Sequence, residues 1–362
     1  MTADTDISFM RHALALGRRG LGQVAPWPSV GCVIVKDGHV VGRGVSDLAT
    51  LRHAEVVALD QAGDRARGAA AYVTLEPCSH RGQTPPCADA LISAGVARVV
   101  IAHEDPNPMV NGQGITRLRA AGLEVTTGVC MSEAARDHAG FFKVQRHGLP
   151  FLTLKLALSL DGRIATASGE SQWITGPAAR RMVHGYRARH DAVMVGAGTA
   201  RADDPALTVR GFGQRRQPTR VVASRYLDIP KDGQLGTTAR DIPVILLHGK
   251  TDTTEWASTG ARCIEVPTDT GQSLSPHGMM SALASERLTR VFCEGGGALA
   301  ASLLGAGLVD ELVVFHAGLA LGAEAIPGIG ALGIDALENA PRFELSSTRA
   351  IGADTLSIWT PA

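Results

Sequence analysis

At 362 residues the chain exceeds what one hydrophobic core usually organises, so two domains of ordinary size are expected. Lysine plus arginine and aspartate plus glutamate balance at 35 each, and aromatic residues make up only 4%, which argues against a nucleic-acid strand or an anionic bilayer as the main partner. The acidic start Met1-Thr2-Ala3-Asp4-Thr5-Asp6 lacks the basic, apolar and small-residue order of a signal peptide, and no apolar run reaches membrane-spanning length, so a cytoplasmic protein is expected.

In chain order, residues 7–19 carry apolar positions at helical spacing. Residues 30–35 read as a buried strand that Asp37-Gly38 turns back into a second strand at 40–44. His53 lies near the start of a helix running to 62, residues 71–75 form a strand ending at Glu76-Pro77, and Pro85-Pro86 opens a helix to 94. A strand at 96–102, a helix at 114–121 and a strand around Val125 complete an α/β/α layer arrangement. The stretch Arg146-His147-Gly148-Leu149-Pro150 breaks this pattern, giving domains 1–147 and 148–362. The second is another α/β unit, with strands at 151–158, 191–195, 219–222, 243–247, 290–293 and 311–315 and helices at 177–189, 278–287 and 298–305. Segments 228–242 and 251–275 are polar and irregular, and read as surface connections.

The first domain carries a divided metal signature: His53-Ala54-Glu55, Glu76-Pro77-Cys78 and Pro85-Pro86-Cys87. One imidazole and two thiolates suit zinc with a fourth position open to water, and a carboxylate two residues from the histidine can shuttle protons. In the zinc-deaminase pattern that glutamate is the acid/base and not a ligand, which makes His53, Cys78 and Cys87 the metal ligands and Glu55 the catalytic group. Helix starts are expected at both ligand groups, where their dipoles favour thiolate at Cys78 and Cys87. The other cysteines, 32, 130, 263 and 293, are scattered, which fits reduced thiols rather than a disulfide framework. In the second domain Cys293-Glu294-Gly295-Gly296-Gly297-Ala298 lies between a strand and a helix, where glycines let backbone approach a ligand and amides at the helix start can hold a phosphate. An empty strand-to-helix turn is the alternative.

These residues, with Val30-Gly31-Cys32-Val33-Ile34-Val35, Thr74-Leu75-Glu76-Pro77-Cys78-Ser79-His80, Thr84-Pro85-Pro86-Cys87, Asp105-Pro106-Asn107-Pro108 and the stretches 159–163, 169–175 and 202–210, resemble the bifunctional riboflavin-biosynthesis deaminase/reductase family RibD/RibG. The resemblance spans both halves. It implies a cytidine-deaminase-like N-terminal domain and a dihydrofolate-reductase-like C-terminal domain, with zinc and NADPH as cofactors. The implied chemistry is hydrolytic deamination of a diamino-pyrimidinone ribosyl phosphate, then reduction of its ribosyl group to ribityl. By the same resemblance Ala157, Trp173, Thr199, Asp203, Ser224 and Gly296, Gly297, Ala298, Leu299, Ala300, Ala301 and Ser302 lie beside the cofactor. Ser171, Arg187, Leu207, Arg210 and Glu294 lie beside the substrate. Arg187 and Arg210 suit its 5′-phosphate, Ser224 and Arg225 the cofactor's 2′-phosphate, and Lys155 and Asp203 proton delivery or electrostatic positioning. His80 and Thr84 touch the deaminase substrate in this reading.

The chain departs from the family pattern around the deaminase pocket, with Trp27 in place of an asparagine, Ser46 of a histidine, Thr50 of a glycine and Gln83 of a basic residue. Weaker or re-targeted deamination is the expectation drawn from them. A nucleic-acid deaminase is disfavoured by the neutral, aromatic-poor composition, and a purely structural zinc site by the want of a fourth protein ligand. The substantial apolar content points to a homo-oligomer acting on a small phosphorylated pyrimidine.

Overall fold

Alternating side chains set both layers of the first unit. In a strand, successive residues face opposite sides of the sheet. Cys32 and Ile34, Ala71 and Val73, and Val99 and Ile101 accordingly enter one core, while Val33 and Val35, Ala70 and Tyr72, and Val100 enter the other. The computed structural model describes residues 3–79, 85–107, 110–213, 215–269 and 273–362, in two compact units, Met1–Gly148 and Leu149–Ala362.

The first unit runs α1 (Ala3–Gly17), β1 (Gly31–Lys36), β2 (His39–Val45), α2 (Ala54–Ala62), β3 (Ala70–Val73), α3 (Cys87–Ser93), β4 (Arg98–Ile101), α4 (Gln113–Ala120), β5 (Glu124–Thr127) and α5 (Met131–His147). Its sheet has the order β2-β1-β3-β4-β5, with β1 antiparallel to both neighbours and β3, β4 and β5 parallel. Residues of α2, α3 and α4 fill one core and residues of α1 the other. Helix α5, absent from the sequence reading, buries Ala134, His138 and Phe142, an i, i+4, i+8 stripe interrupted by the polar His138. Two glycines of β2 seat α2 on the sheet. A Cβ at Gly44 would lie 1.9 Å from the Ala54 carbonyl oxygen, and one at Gly42 2.1 Å from that of Ala58. Only glycine lets the helix bearing Glu55 lie this close.

The second unit runs β6 (Phe151–Leu158), β7 (Arg163–Ala165), α6 (Pro177–Arg187), β8 (Ala192–Gly196), α7 (Ala197–Asp203), β9 (Thr219–Ala223), α8 (Gln234–Thr237), β10 (Val244–His248), α9 (Thr254–Ser258), β11 (Arg262–Glu265), α10 (Pro276–Ser285), β12 (Arg290–Cys293), α11 (Gly297–Gly305), β13 (Glu311–His316), β14 (Ile326–Pro327), β15 (Phe343–Ile351) and β16 (Asp354–Pro361). Nine strands form one sheet in the order β11-β10-β9-β8-β12-β6-β13-β16-β15, parallel from β11 to β13, with the β15–β16 hairpin antiparallel at the edge. Strand β12 enters between β8 and β6, so the order reverses there; ligands bind at such a point, beyond the strands' carboxyl ends.

The two segments read as surface connections are partly structured and partly buried. They hold α8, α9 and β11, and Leu235, Trp256, Val266 and Leu274 are buried. Their apolar residues are too few and too widely spaced to give a periodic signal, yet each fills a gap in the core. Strand β15 was likewise hidden, because it is an edge strand with seven consecutive exposed residues.

Candidate active sites

The first site forms where the chain turns off β3. His53 is the N-cap of α2 and Cys87 the first residue of α3, at the two helix starts that the sequence reading expected, and Cys78 lies in the irregular segment after β3. The α3 start still acts on Cys78, since the Cys87 backbone N–H donates to its Sγ at 3.3 Å. His53 Nδ1 lies 3.1 Å from Cys87 Sγ and 3.6 Å from Cys78 Sγ, and all three ligand atoms fall within 4.8 Å of one another. Such separations fit a single sphere with zinc–sulfur and zinc–nitrogen bonds of about 2.0–2.3 Å, so the donor set fits the metal. The thiols share charge. A hydrogen bond from Cys87 lowers the Cys78 thiol to about 4 and raises that of Cys87, and the hydrogen bond to Cys78 raises His53. A thiolate next to a thiol is the state that a soft cation completes by displacing the remaining proton.

Glu55, on the first turn of α2, is 3% exposed. Burial, then the Cys78 thiolate, pushes its carboxyl up to about 7. A carboxyl balanced near neutrality both accepts and returns a proton. One positioning residue escaped the sequence reading. The Glu76 carboxylate accepts backbone N–H bonds from Asp105 (3.2 Å), Gly112 (2.9 Å), Gly114 (2.9 Å) and Ile115 (3.2 Å), tying the segment ahead of α4 to the one bearing Cys78. Its only sequence signal was an acidic residue inside the ligand motif.

Of the departures from the family pattern, Trp27 is 46% exposed. Ser46 accepts the Val30 N–H at 3.0 Å, and Thr50 donates to Asp47 at 2.6 Å. His80, Gln83, Thr84 and Pro108 lie outside the described residues.

The second site is a cavity of about 1170 Å³ at the carboxyl ends of β6, β8 and β12. Its wall includes Ala157, Trp173, Thr199, Asp203, Gly296, Gly297, Ala298, Leu299 and Ser302 from the cofactor set, and all five substrate candidates, Ser171, Arg187, Leu207, Arg210 and Glu294. Three expected cofactor residues are elsewhere. Ala300 and Ala301 turn into the helix's buried side, because residues on α11 rotate by about 100° each and a run of seven cannot face one way. Ser224 is 1% exposed and donates to Asp228 at 3.0 Å, while its neighbours Ala223 and Arg225 line the cavity. The glycine turn also serves the protein's own chain. A Cβ at Gly297 would lie 2.7 Å from the Pro327 carbonyl oxygen, and Gly330 N–H donates to the Gly297 carbonyl at 2.9 Å.

Charge in the cavity is paired at its centre. Arg187 forks onto Glu294 at 2.5 and 3.1 Å and is not an unpaired phosphate anchor, whereas Arg210 is exposed at the wall. Lys155 faces Glu294, Arg187 and Asp203; burial lowers its ammonium, and burial raises the Asp203 carboxyl against the pull of Lys155. A hydroxyl-free, glycine-rich turn beside arginines and a tunable Lys–Asp pair suits a phosphorylated nucleotide and a proton-coupled reaction. The class defined by fold and sites is therefore a zinc deaminase joined in one chain to a nucleotide-dependent reductase.

Comparison with known proteins makes that specific. Residues 3–103 match the cytidine and deoxycytidylate deaminase zinc-binding region, and residues 150–357 the RibD C-terminal domain. The chain is 45% identical over 359 residues to riboflavin biosynthesis protein RibD of Escherichia coli K12, covering 96% of this chain and 97% of that one. Acinetobacter baumannii RibD superposes with a TM-score of 0.89 at 38% identity over the full length of both chains. A diaminohydroxyphosphoribosylaminopyrimidine deaminase/5-amino-6-(5-phosphoribosylamino)uracil reductase of Thermotoga maritima superposes with a TM-score of 0.86 at 30% identity, covering 99% of each. The chain belongs to the RibD family. It is a bifunctional deaminase and reductase of riboflavin biosynthesis that uses zinc and NADPH.

Proposed function

We propose that residues 1–147 deaminate 2,5-diamino-6-(5-phosphoribosylamino)pyrimidin-4(3H)-one and residues 148–362 reduce the resulting 5-amino-6-(5-phosphoribosylamino)uracil to its ribityl form. The observation that carries the first half is the cluster of His53, Cys78 and Cys87 with Glu55 buried beside it. These three side chains hold zinc, which when bound supplies a water acidified to near neutral pH. Glu55 accepts one proton from the attacking water and delivers it to the ring nitrogen, then carries the second, from the hydroxyl now on the ring carbon, to the amino group as it leaves as ammonia. The Cys78 segment is kept in place by Glu76 and its four backbone donors.

In the second half NADPH supplies a hydride to C1′ of the ribosyl group. The chain's task is to orient both ligands and manage one proton. The glycine turn and Thr199 hold the cofactor, and Trp173 flanks it at the cavity wall. Arg210 holds the substrate phosphate, and Glu294 holds Arg187 in place at the cavity centre. The proton for the ribose ring oxygen comes from the Lys155–Asp203 pair, whose charges act on each other there. Arg225 rather than Ser224 meets the cofactor's 2′-phosphate, since only Arg225 lines the cavity. The enzyme acts in the cytoplasm as a homo-oligomer; reduced thiols support the location, and no described helix is long and apolar enough to cross a membrane. Supplying the diamino-pyrimidinone ribosyl phosphate with zinc-loaded enzyme and NADPH, while following ammonia and NADPH separately, tests both halves. Both signals are expected. Silence in both overturns the reading, and NADPH loss only with pre-deaminated substrate favours the alternative that the pocket of Trp27, Ser46 and Thr50 has lost its deaminase activity.

A further inference from the structure

Helix α6 presents a basic row to the reductase cavity. Arg180, His184 and Arg187 stand at i, i+4 and i+7, one side of a helix, and all three line the cavity beside the buried Val183, while Ala179 turns to the core. They are not equivalent. Arg187 is paired with Glu294, and Arg180 stacks 4.5 Å over the Trp173 ring with its Nη1 on the Thr175 carbonyl at 2.7 Å. His184 has one nitrogen engaged, with Nδ1 3.1 Å from the Thr208 carbonyl oxygen, and Nε2 has no hydrogen-bond partner among the described residues.

A carbonyl oxygen only accepts, so Nδ1 donates to Thr208 when it carries a proton. When the ring is neutral with Nδ1 unprotonated, that nitrogen accepts the Arg210 backbone N–H at 3.3 Å. Arg187 Nη1 also donates to the Thr208 carbonyl, at 2.9 Å. His184 and Arg187 thus fix the segment that carries Arg210 along the cavity wall, and the imidazole is left with its second nitrogen available beside that guanidinium.

We propose that His184 is a phosphate-recognition residue of the reductase cavity, meeting the 5′-phosphate of the substrate through Nε2 alongside Arg210. The proposal rests on the reductase reading above and adds a specificity-determining residue to that site. Phosphate oxygens are acceptors, so Nε2 meets them carrying a proton, and as imidazolium the ring also donates from Nδ1 to Thr208. Burial first, then Arg187 and Arg210, disfavours that charge in the free site, with Glu294 opposing them. A phosphate dianion between His184 and Arg210 reverses the balance. A nucleoside without phosphate leaves the ring neutral and gains nothing from it, so His184 adds selectivity and not only affinity.

Two isosteres separate recognition from simple support. His184→Asn keeps an N–H donor at the Nδ1 position for Thr208 and removes Nε2; His184→Gln keeps a donor at the Nε2 position and gives up the Thr208 bond. Steady-state kinetics are measured with NADPH on the ribosylaminouracil 5′-phosphate and on its dephosphorylated nucleoside. His184→Asn is expected to raise KM for the phosphorylated substrate about 10- to 100-fold, the range for a charged hydrogen bond, with kcat, KM for NADPH and KM for the nucleoside unchanged. His184→Gln is expected to show a smaller rise, again confined to the phosphorylated substrate, and decides the matter if the asparagine variant does not fold. Wild-type KM in His184→Asn, or an equal rise for both substrates in either variant, overturns the proposal. If the wild-type enzyme oxidises no NADPH with the phosphorylated substrate, the reductase reading fails first and the proposal falls with it.

Discussion

The metal cluster and the reductase cavity are built on opposite plans. In the first unit, three ligand atoms within 4.8 Å come from chain between residues 53 and 87, and the acid/base carboxylate sits two residues from a ligand. In the second, the cavity wall draws on residues from Lys155 to Ile326, from strand ends, helix starts and loops. Metal coordination needs a few atoms at fixed short distances, which short motifs at helix starts supply. A dinucleotide and a sugar phosphate together need a surface many residues wide, and only a large sheet gathers one at its strand ends. Loss of a single residue should therefore be close to fatal in the first site and graded in the second.

Glu55→Gln is the sharpest way to break the contrast. Removing the proton carrier is expected to slow ammonia release by about 10²–10⁴-fold, while NADPH oxidation with pre-deaminated substrate continues unchanged. A coupled ammonia assay beside absorbance at the NADPH band reads both, and a parallel fall of the two activities would show that the sites are not independent. A chelator is expected to act as Glu55→Gln does. Next in size, Arg210→Ala should raise KM for the phosphorylated uracil substrate about 10- to 100-fold and leave ammonia release alone. Arg225→Ala should lower the preference for NADPH over NADH by about tenfold, the worth of one exposed charged contact to the 2′-phosphate. An unchanged preference would remove Arg225 from the site.

The smallest effect concerns stability against acid. His190 is 4% exposed, its Nδ1 on the Tyr186 carbonyl at 2.7 Å and Nε2 3.0 Å from Thr153 Oγ1, and burial pushes its pKa down to about 3. Below the unfolded value near 6.5 the unfolded chain binds the extra proton, so this contribution is complete above that pH and is lost as pH falls toward 3, at up to about 1.4 kcal/mol per unit. In the first unit, burial raises the Asp6 carboxyl, but hydrogen bonds from Arg98 and Tyr72 bring it below its ordinary value, so its contribution persists until the pH falls below about 4. Calorimetry between pH 7 and 5 should show wild type losing stability relative to His190→Gln. Equal slopes would mean that His190 does not titrate as its burial dictates.

Legibility followed the same divide. His53, Glu55, Cys78 and Cys87 were readable because each motif is contiguous and its chemistry leaves few alternatives. The helix starts expected near His53 and at Pro85-Pro86 are there, as the N-cap of α2 and the start of α3. In the second unit the glycine turn and the polar stretches around Ser171 and Leu207 were visible as segments, and family resemblance supplied their roles. Which members face the cavity was not visible. Ser224 turns to Asp228, and Ala300 and Ala301 turn to the core. The roles of Glu76 and His184 were not visible, because they lie in partners 29 to 39 and 24 residues away.

The sequence by itself determined the alternating strand and helix pattern of both α/β units and the zinc donor set, because hydrophobic period and ligand chemistry are local properties of the chain. Only the tertiary structure decided that β12 enters between β8 and β6, that Arg187 is spent on Glu294, and that one edge of His184 remains open beside Arg210. Strand order and charge pairing join residues more than a hundred positions apart, such as Thr153 with Glu311 and Arg187 with Glu294, and their outcome depends on which partners the packed core brings within hydrogen-bond reach.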